Sequence, residues 1–159
     1  MAEPIHRTLQ SAVKTTEGLY HRLVLLVGQS GSGKTTVLQA FSSRSNLDII
    51  NVNAKLSERL LEMTAKQRTL RLPKLLEQIT ATGSQTVVLD NLEILFDVEL
   101  RQDPLRLLQH ISRNRNVVAA WNGRMDGQKL IYAEPGHREY REYKTKDVVI
   151  VNIGEAENL

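Results

Sequence analysis

The segment Gly28-Gln29-Ser30-Gly31-Ser32-Gly33-Lys34-Thr35 constrains this chain more than any other, because it follows the aliphatic run Leu23 to Val27 and opens a stretch of helical spacing. An aliphatic run closed by glycine reads as a strand buried on both faces, as in a parallel sheet. The segment satisfies G-x-x-x-x-G-K-[ST] in full, in the strand-to-helix context that such a loop requires. Chemistry explains the residue types. Glycines permit positive φ, so successive backbone N–H groups converge on one anion, and the start of the next helix adds favourable partial charge. Gly28, Gln29, Ser30, Gly31, Ser32 and Gly33 are therefore expected to cradle a β-phosphate, with Lys34 neutralising the β and γ oxygens. Thr35 would offer its hydroxyl to Mg²⁺, and Thr36 would reach the α-phosphate. A turn that only caps a helix would not need Gly-Lys-Thr directly after an aliphatic strand. Ser30 and Ser32 read as loop geometry rather than chemistry.

The rest of the chain alternates strand and helix. Ile5, Leu9, Ala12 and Val13 predict a leading helix over Ile5 to Thr16, ended by Gly18. After the loop, Lys34 to Ser43 reads as helix and Leu47 to Val52 as a strand, which makes a βαβ unit. Residues 55–83 hold two amphipathic helices, with Pro73 expected in the first turn of the second, where its missing N–H costs little. Thr86 to Leu89 is a third strand, Pro104 to Arg113 a helix and Val117 to Trp121 a fourth strand. Lys129 to Ala133 and Val148 to Ile153 flank a charged stretch and are expected to form a long hairpin or two edge strands. The fold class is α/β: three layers around a mainly parallel five-stranded sheet.

Composition narrows the class further. At 159 residues the chain suits one domain, read as a leading helix over 1–18, a core over 20–152 and a tail over 153–159. The longest aliphatic run, Leu23 to Val27, is far below the roughly 20 residues of a membrane span. The start Met-Ala-Glu-Pro lacks a secretory pattern. With no cysteine, disulfides and thiolate metal sites are excluded, and a cytoplasmic location is expected. The histidines at 6, 21, 110 and 137 have no metal-ligand spacing, and a net charge of +3 decides nothing about nucleic acid.

Asp90 ends the third strand and is expected to hold Mg²⁺ through its water shell. In many ATPases with an extra strand between the loop strand and the acid strand, a glutamate directly follows. Here that position is Asn91, whose amide cannot accept a proton as a carboxylate does. Glu93 would substitute if the chain turned suitably, but a solvated helix-start glutamate is the favoured reading. Asn122, at the end of the fourth strand, fits a water-orienting amide and a turn asparagine before Gly123 equally well.

The ordered loop strand, intervening strand, Asp90 strand and Asn122 strand resemble the core of AAA+ ATPases over residues 20–152. More narrowly, GQSGSGKTT, VVLDNLEILF and VVAAWNG are similar to the BrxF family, small P-loop proteins of type 3 BREX bacteriophage-exclusion systems. The resemblance implies ATP and Mg²⁺, nucleotide held between subunits of a homo-oligomer, and a neighbour's arginine at the γ-phosphate. Arg113, Arg115 and Arg124 are the candidate donors, each against the simpler reading of a solvated surface arginine. Two departures, Asn91 and an end at Leu159 without the usual helical lid, count against motor activity. The resulting expectation is a nucleotide-regulated ATPase subunit of a DNA-linked defence complex, with weak or partner-dependent hydrolysis. A small-molecule or nucleotide kinase is the first alternative, because the loop also fits that class, and a non-hydrolysing ATP-binding adaptor is the second. ATP is preferred over GTP because no N-K-x-D tetrad occurs. Arg68, Arg71, Lys74 and the run Arg138 to Lys146 are candidate DNA phosphate contacts, which a solvated helix face explains equally well.

Overall fold

In chain order the elements are α1 (Ile5–Thr16), β1 (Leu23–Gly28), α2 (Lys34–Ser45), β2 (Ile49–Asn51), α3 (Val52–Leu60), α4 (Ala65–Thr80) and β3 (Thr86–Asp90). They continue with α5 (Pro104–Ile111), β4 (Asn116–Asp126), β5 (Lys129–Tyr132), β6 (Arg141–Lys144) and β7 (Val149–Asn152). The computed structural model describes residues 4–133, 137–145 and 148–153, so the expected tail beyond Ile153 and the end of the run at Lys146 lie outside the described residues.

Every residue of β1 is buried, as its aliphatic run predicts, because both faces of the sheet are covered. Strand order is β2-β3-β4-β1-β7, parallel at each pairing. The loop strand therefore sits between the Asn122 strand and the last strand. Leu23, Leu25 and Val27 pack with Val87, Leu89, Val117 and Trp121 under α3, α4 and α5. Val24 and Leu26 face the opposite side with Val88, Val118 and Ala120, beneath Leu9 of α1 and Leu38 and Phe41 of α2. At about 1.5–3 kcal/mol per buried aliphatic side chain, these two layers dominate the stabilisation.

Four expectations change. The second strand is only Ile49–Asn51, because Asn51 caps a new helix by accepting from the Ala54 N–H at 3.0 Å. Pro73 lies in the middle of α4, not its first turn, since a Thr64/Gln67 capping box starts that helix eight residues earlier, at Ala65. The carbonyl of Thr69, which Pro73 cannot serve, accepts from Gln102 Nε2 at 2.9 Å instead.

Of the two arrangements expected for 129–133 and 148–153, the hairpin does not form, whereas the edge-strand alternative holds for the second segment. β7 joins the parallel sheet as an edge beside β1, whereas β5 runs antiparallel to a long extension of β4 and pairs in turn with β6. The five-stranded parallel core thus carries two further antiparallel strands. The extension exists because Gly123 allows it: a Cβ there would lie 1.9 Å from the Ile131 carbonyl oxygen.

Candidate nucleotide-binding site

β1 ends at Gly28, and the loop turns over the start of α2 with Gly31 at φ +82 and Gly33 at φ +95, conformations that side chains strongly disfavour. Lys34 begins α2 and is 6% exposed, its Nζ donating to the carbonyls of Gly28 at 2.8 Å and Gln29 at 2.7 Å and to Ser32 Oγ at 3.3 Å. Burial pushes the Lys34 ammonium below its ordinary value, and the charges of Asp90 and Glu93 pull it back up. The direct partners of this buried ammonium are neutral oxygens, so a phosphate group would be a favourable further partner. Gln29, Ser30, Thr35 and Thr36 stand exposed around it.

Asp90, 7% exposed, ends β3. Its Oδ2 accepts from Thr35 Oγ1 at 2.7 Å and its Oδ1 from the Asn91 N–H at 2.9 Å. The Thr35 proton is therefore committed to Asp90, which leaves the hydroxyl lone pairs for a cation. Among the described residues no group of three or more His, Cys, Asp or Glu could hold a metal ion. Two hard oxygen donors side by side suit Mg²⁺, which keeps most of its shell as water and substrate phosphate.

Asn91 takes φ +55, an αL conformation that asparagine tolerates better than most residues. This bend, with the 3-10 turn Glu93–Phe96 behind it, folds Glu93 back toward the site. The Glu93 carboxylate accepts from Asn53 Nδ2 at 2.8 Å and, through its other oxygen, from Asn122 Nδ2. Asn53 is clamped in turn, its Oδ1 accepting from the Ile94 N–H at 2.7 Å and its N–H donating to the Asn91 carbonyl at 2.9 Å. Glu93 does open a short 3-10 helix, as the favoured sequence reading has it, but it is not simply solvated: it is half-buried and bonded to two amides. Asn122 pairs with Gly28 in register and carries its amide to Glu93, so it is more than a turn residue.

Arg113 and Arg115 precede β4, at the opposite end of the strands from the loop. β1 and β4 run parallel from Leu23↔Val117 to Gly28↔Asn122, so a strand length of about 17 Å separates these arginines from their own chain's loop. Arg113 lies over the Tyr20 ring at 4.7 Å and bonds its hydroxyl, while Arg115 donates to the Thr80 carbonyl. Arg124 is different, sharing a cavity of about 290 Å³ with Gln29, Ser30, Asn122 and Tyr132. Of the expected DNA contacts, Arg68 is spent on the α3 terminus, donating to the Met63 and Leu61 carbonyls. Arg71 and Lys74 are exposed.

Sequence reasoning missed Asn53 and Tyr132. Tyr132 stacks on Phe96 with ring centroids 3.5 Å apart, and its phenol is pushed up to about 12 by burial, then by Glu139 and Glu93. It stays protonated at neutral pH. Neither residue carries a motif, because each acts through a contact made across the fold.

A glycine-rich loop from an interior strand, a buried lysine, a Thr–Asp pair and a mainly parallel α/β sheet define a P-loop nucleoside-triphosphate-binding domain. The chain belongs to the ATPase family associated with various cellular activities (AAA), whose model matches residues 24–129. Among solved structures it is similar to C. elegans PCH-2, with TM-score 0.50 and 12% identity over 94% of this chain and 42% of that one. The chain thus spans less than half the length of that protein. A comparison with curated proteins finds no match. No helix among the described residues is long and apolar enough to cross a membrane.

Proposed function

We propose that this chain hydrolyses ATP with Glu93 as the base that activates water. The carrying observation is the Glu93 carboxylate, held by Asn53 and Asn122 beside the loop although the residue after Asp90 is an amide. A bound Mg²⁺ would supply Lewis-acid charge stabilisation to the triphosphate. Thr35 and Asp90 position the donors for that ion, and Lys34 answers the phosphate charge. Glu93 takes a proton as the water oxygen bonds to the γ-phosphorus, the bond to the β-bridging oxygen breaks, and ADP and phosphate leave. Asn122 orients the carboxylate and the water together.

The similarity of GQSGSGKTT, VVLDNLEILF and VVAAWNG to the BrxF family supports a place for this activity in a type 3 BREX phage-defence complex in the cytoplasm. There ATP governs assembly of homo-oligomers or partner proteins, with DNA reached directly or through those partners. Purified protein with ATP and Mg²⁺, alone and with DNA, is expected to release phosphate. Glu93→Gln should cut turnover by about 10²–10⁴-fold while ATP still binds. Equal turnover in that variant sinks the role of Glu93. ATP-dependent oligomers without phosphate release would favour the adaptor, and phosphate moved to a small molecule would favour the kinase.

A further inference from the structure

We propose that a groove at the end of the strands opposite the phosphate loop binds single-stranded nucleic acid, with a base stacked on Tyr20 and the flanking phosphates held by Arg106, His110 and Arg113. The inference sharpens the direct DNA contact proposed above and rests on it. The groove is a cavity of about 620 Å³ between α5 and Pro73 of α4, with His21 in its wall. Arg106 and His110 stand one turn apart on α5, about 6 Å in rise, so they share a face, and Arg113 follows just past the helix end. Asp103 is the one carboxylate in the lining, 4.0 Å from Arg106. Arg22 adds a further charge beside it, donating to the Arg113 carbonyl at 3.1 Å. Among the described residues neither Arg22 nor Arg113 is in an ion pair, which leaves both guanidinium groups for charge-assisted bonds to phosphate.

Tyr20 supplies what phosphate contacts alone lack. It is 66% exposed and so adds little to the core, yet its ring is held in place. Arg113 lies over it at 4.7 Å and bonds its hydroxyl, and the His21 ring meets it at 78° with centroids 4.8 Å apart. His21 is fixed in turn, its Nδ1 3.0 Å from the Gln109 carbonyl oxygen. An exposed ring steadied by a guanidinium at the mouth of a basic groove is the combination that takes an unpaired base together with its phosphates. A duplex keeps its bases stacked on one another, so it would meet the cations and leave the ring unused. The face of α4 that carries Arg71 and Lys74 lacks this pairing, because it has no aromatic residue and presents Leu70 at 70% exposure.

The test is fluorescence anisotropy of a fluorescein-labelled thymidylate dodecamer at about 50 mM salt, beside a labelled duplex of the same length. The single strand should bind about tenfold or more tightly than the duplex, and Tyr20→Ala should weaken it about 5- to 100-fold without changing the slope of log affinity against log salt. Tyr20→Phe keeps the ring and should stay within about twofold of wild type. Arg106→Gln and Arg113→Gln should each lower that slope by about 0.7, and circular dichroism reports whether each variant is folded. Lys34→Ala should bind the strand as wild type does; loss of binding there would put the strand at the phosphate loop and overturn the inference. Equal affinity for the duplex, or a Tyr20→Ala variant that binds normally while Lys74→Ala does not, overturns it as well. No binding by wild type overturns direct DNA contact together with the groove. Binding that survives Tyr20→Ala and both arginine variants overturns the groove alone.

Discussion

The two sides of the candidate site are built in opposite ways. The phosphate side is eight consecutive residues, Gly28 to Thr35, plus Asp90, and its geometry follows from local glycine conformations and the start of α2. The water side draws Asn53 from α3, Glu93 from a 3-10 turn, Asn122 from β4 and Tyr132 from β5. Binding is therefore encoded over a short stretch of chain, whereas the arrangement that would activate water exists only when distant segments dock. The sides should fail separately.

Lys34→Ala tests the phosphate side and carries the largest expected loss, about 100-fold or more in triphosphate affinity at an unchanged fold, measured by titration and circular dichroism. The same lysine adds a pH signature. Its folded value lies below the ordinary 10.5 because of burial, so between those two values the unfolded chain binds more protons and stability rises with pH. Without nucleotide, the stability advantage of Lys34→Met over wild type should shrink as pH approaches 10.5 in urea unfolding. An advantage constant with pH would show that burial does not govern the charge of Lys34.

Gly123→Ala tests the water side. Its Cβ must displace the Ile131 carbonyl, so a stability loss of about 1–3 kcal/mol in urea unfolding is expected, with turnover falling more than affinity. An equal fall in both would mean that the two sides are one mechanical unit. Asn53→Ala is the mildest. It leaves the Ile94 N–H without its partner and removes one donor from Glu93, costing about 1 kcal/mol, with the deficit visible in turnover and absent from nucleotide affinity.

The same contrast explains what could be read from the sequence. β1, the loop, α2 and the Asp90 strand were legible because burial on both faces and phosphate chemistry each leave a contiguous pattern. α1 emerges over the expected Ile5–Thr16 because Ile5, Leu9, Ala12 and Val13 repeat at helical spacing. Pro73 misled because the partner that makes a mid-helix proline tolerable, Gln102, lies 29 positions away and carries no local signal. Glu93 misled because one residue in αL, Asn91, reverses where a following side chain points, and asparagine adopts ordinary conformations as readily. Of the antiparallel arm β5 was legible, but β6 was not, since it alternates half-buried with exposed residues over Arg141–Lys144 and has no aliphatic run to announce a strand.

Trp121 is the chain's single tryptophan, 1% exposed and set edge-on to Phe96, Tyr132 and Tyr143. Its neighbour in sequence is Asn122, and its ring nitrogen bonds to the strand that pairs with Gly123–Asp126. Tryptophan fluorescence of this protein, excited selectively over its four tyrosines, is accordingly the signal of one residue at one joint. Emission wavelength and quenching report how the β4–β5 arm is seated, and stopped-flow mixing with nucleotide can time its movement without any attached label.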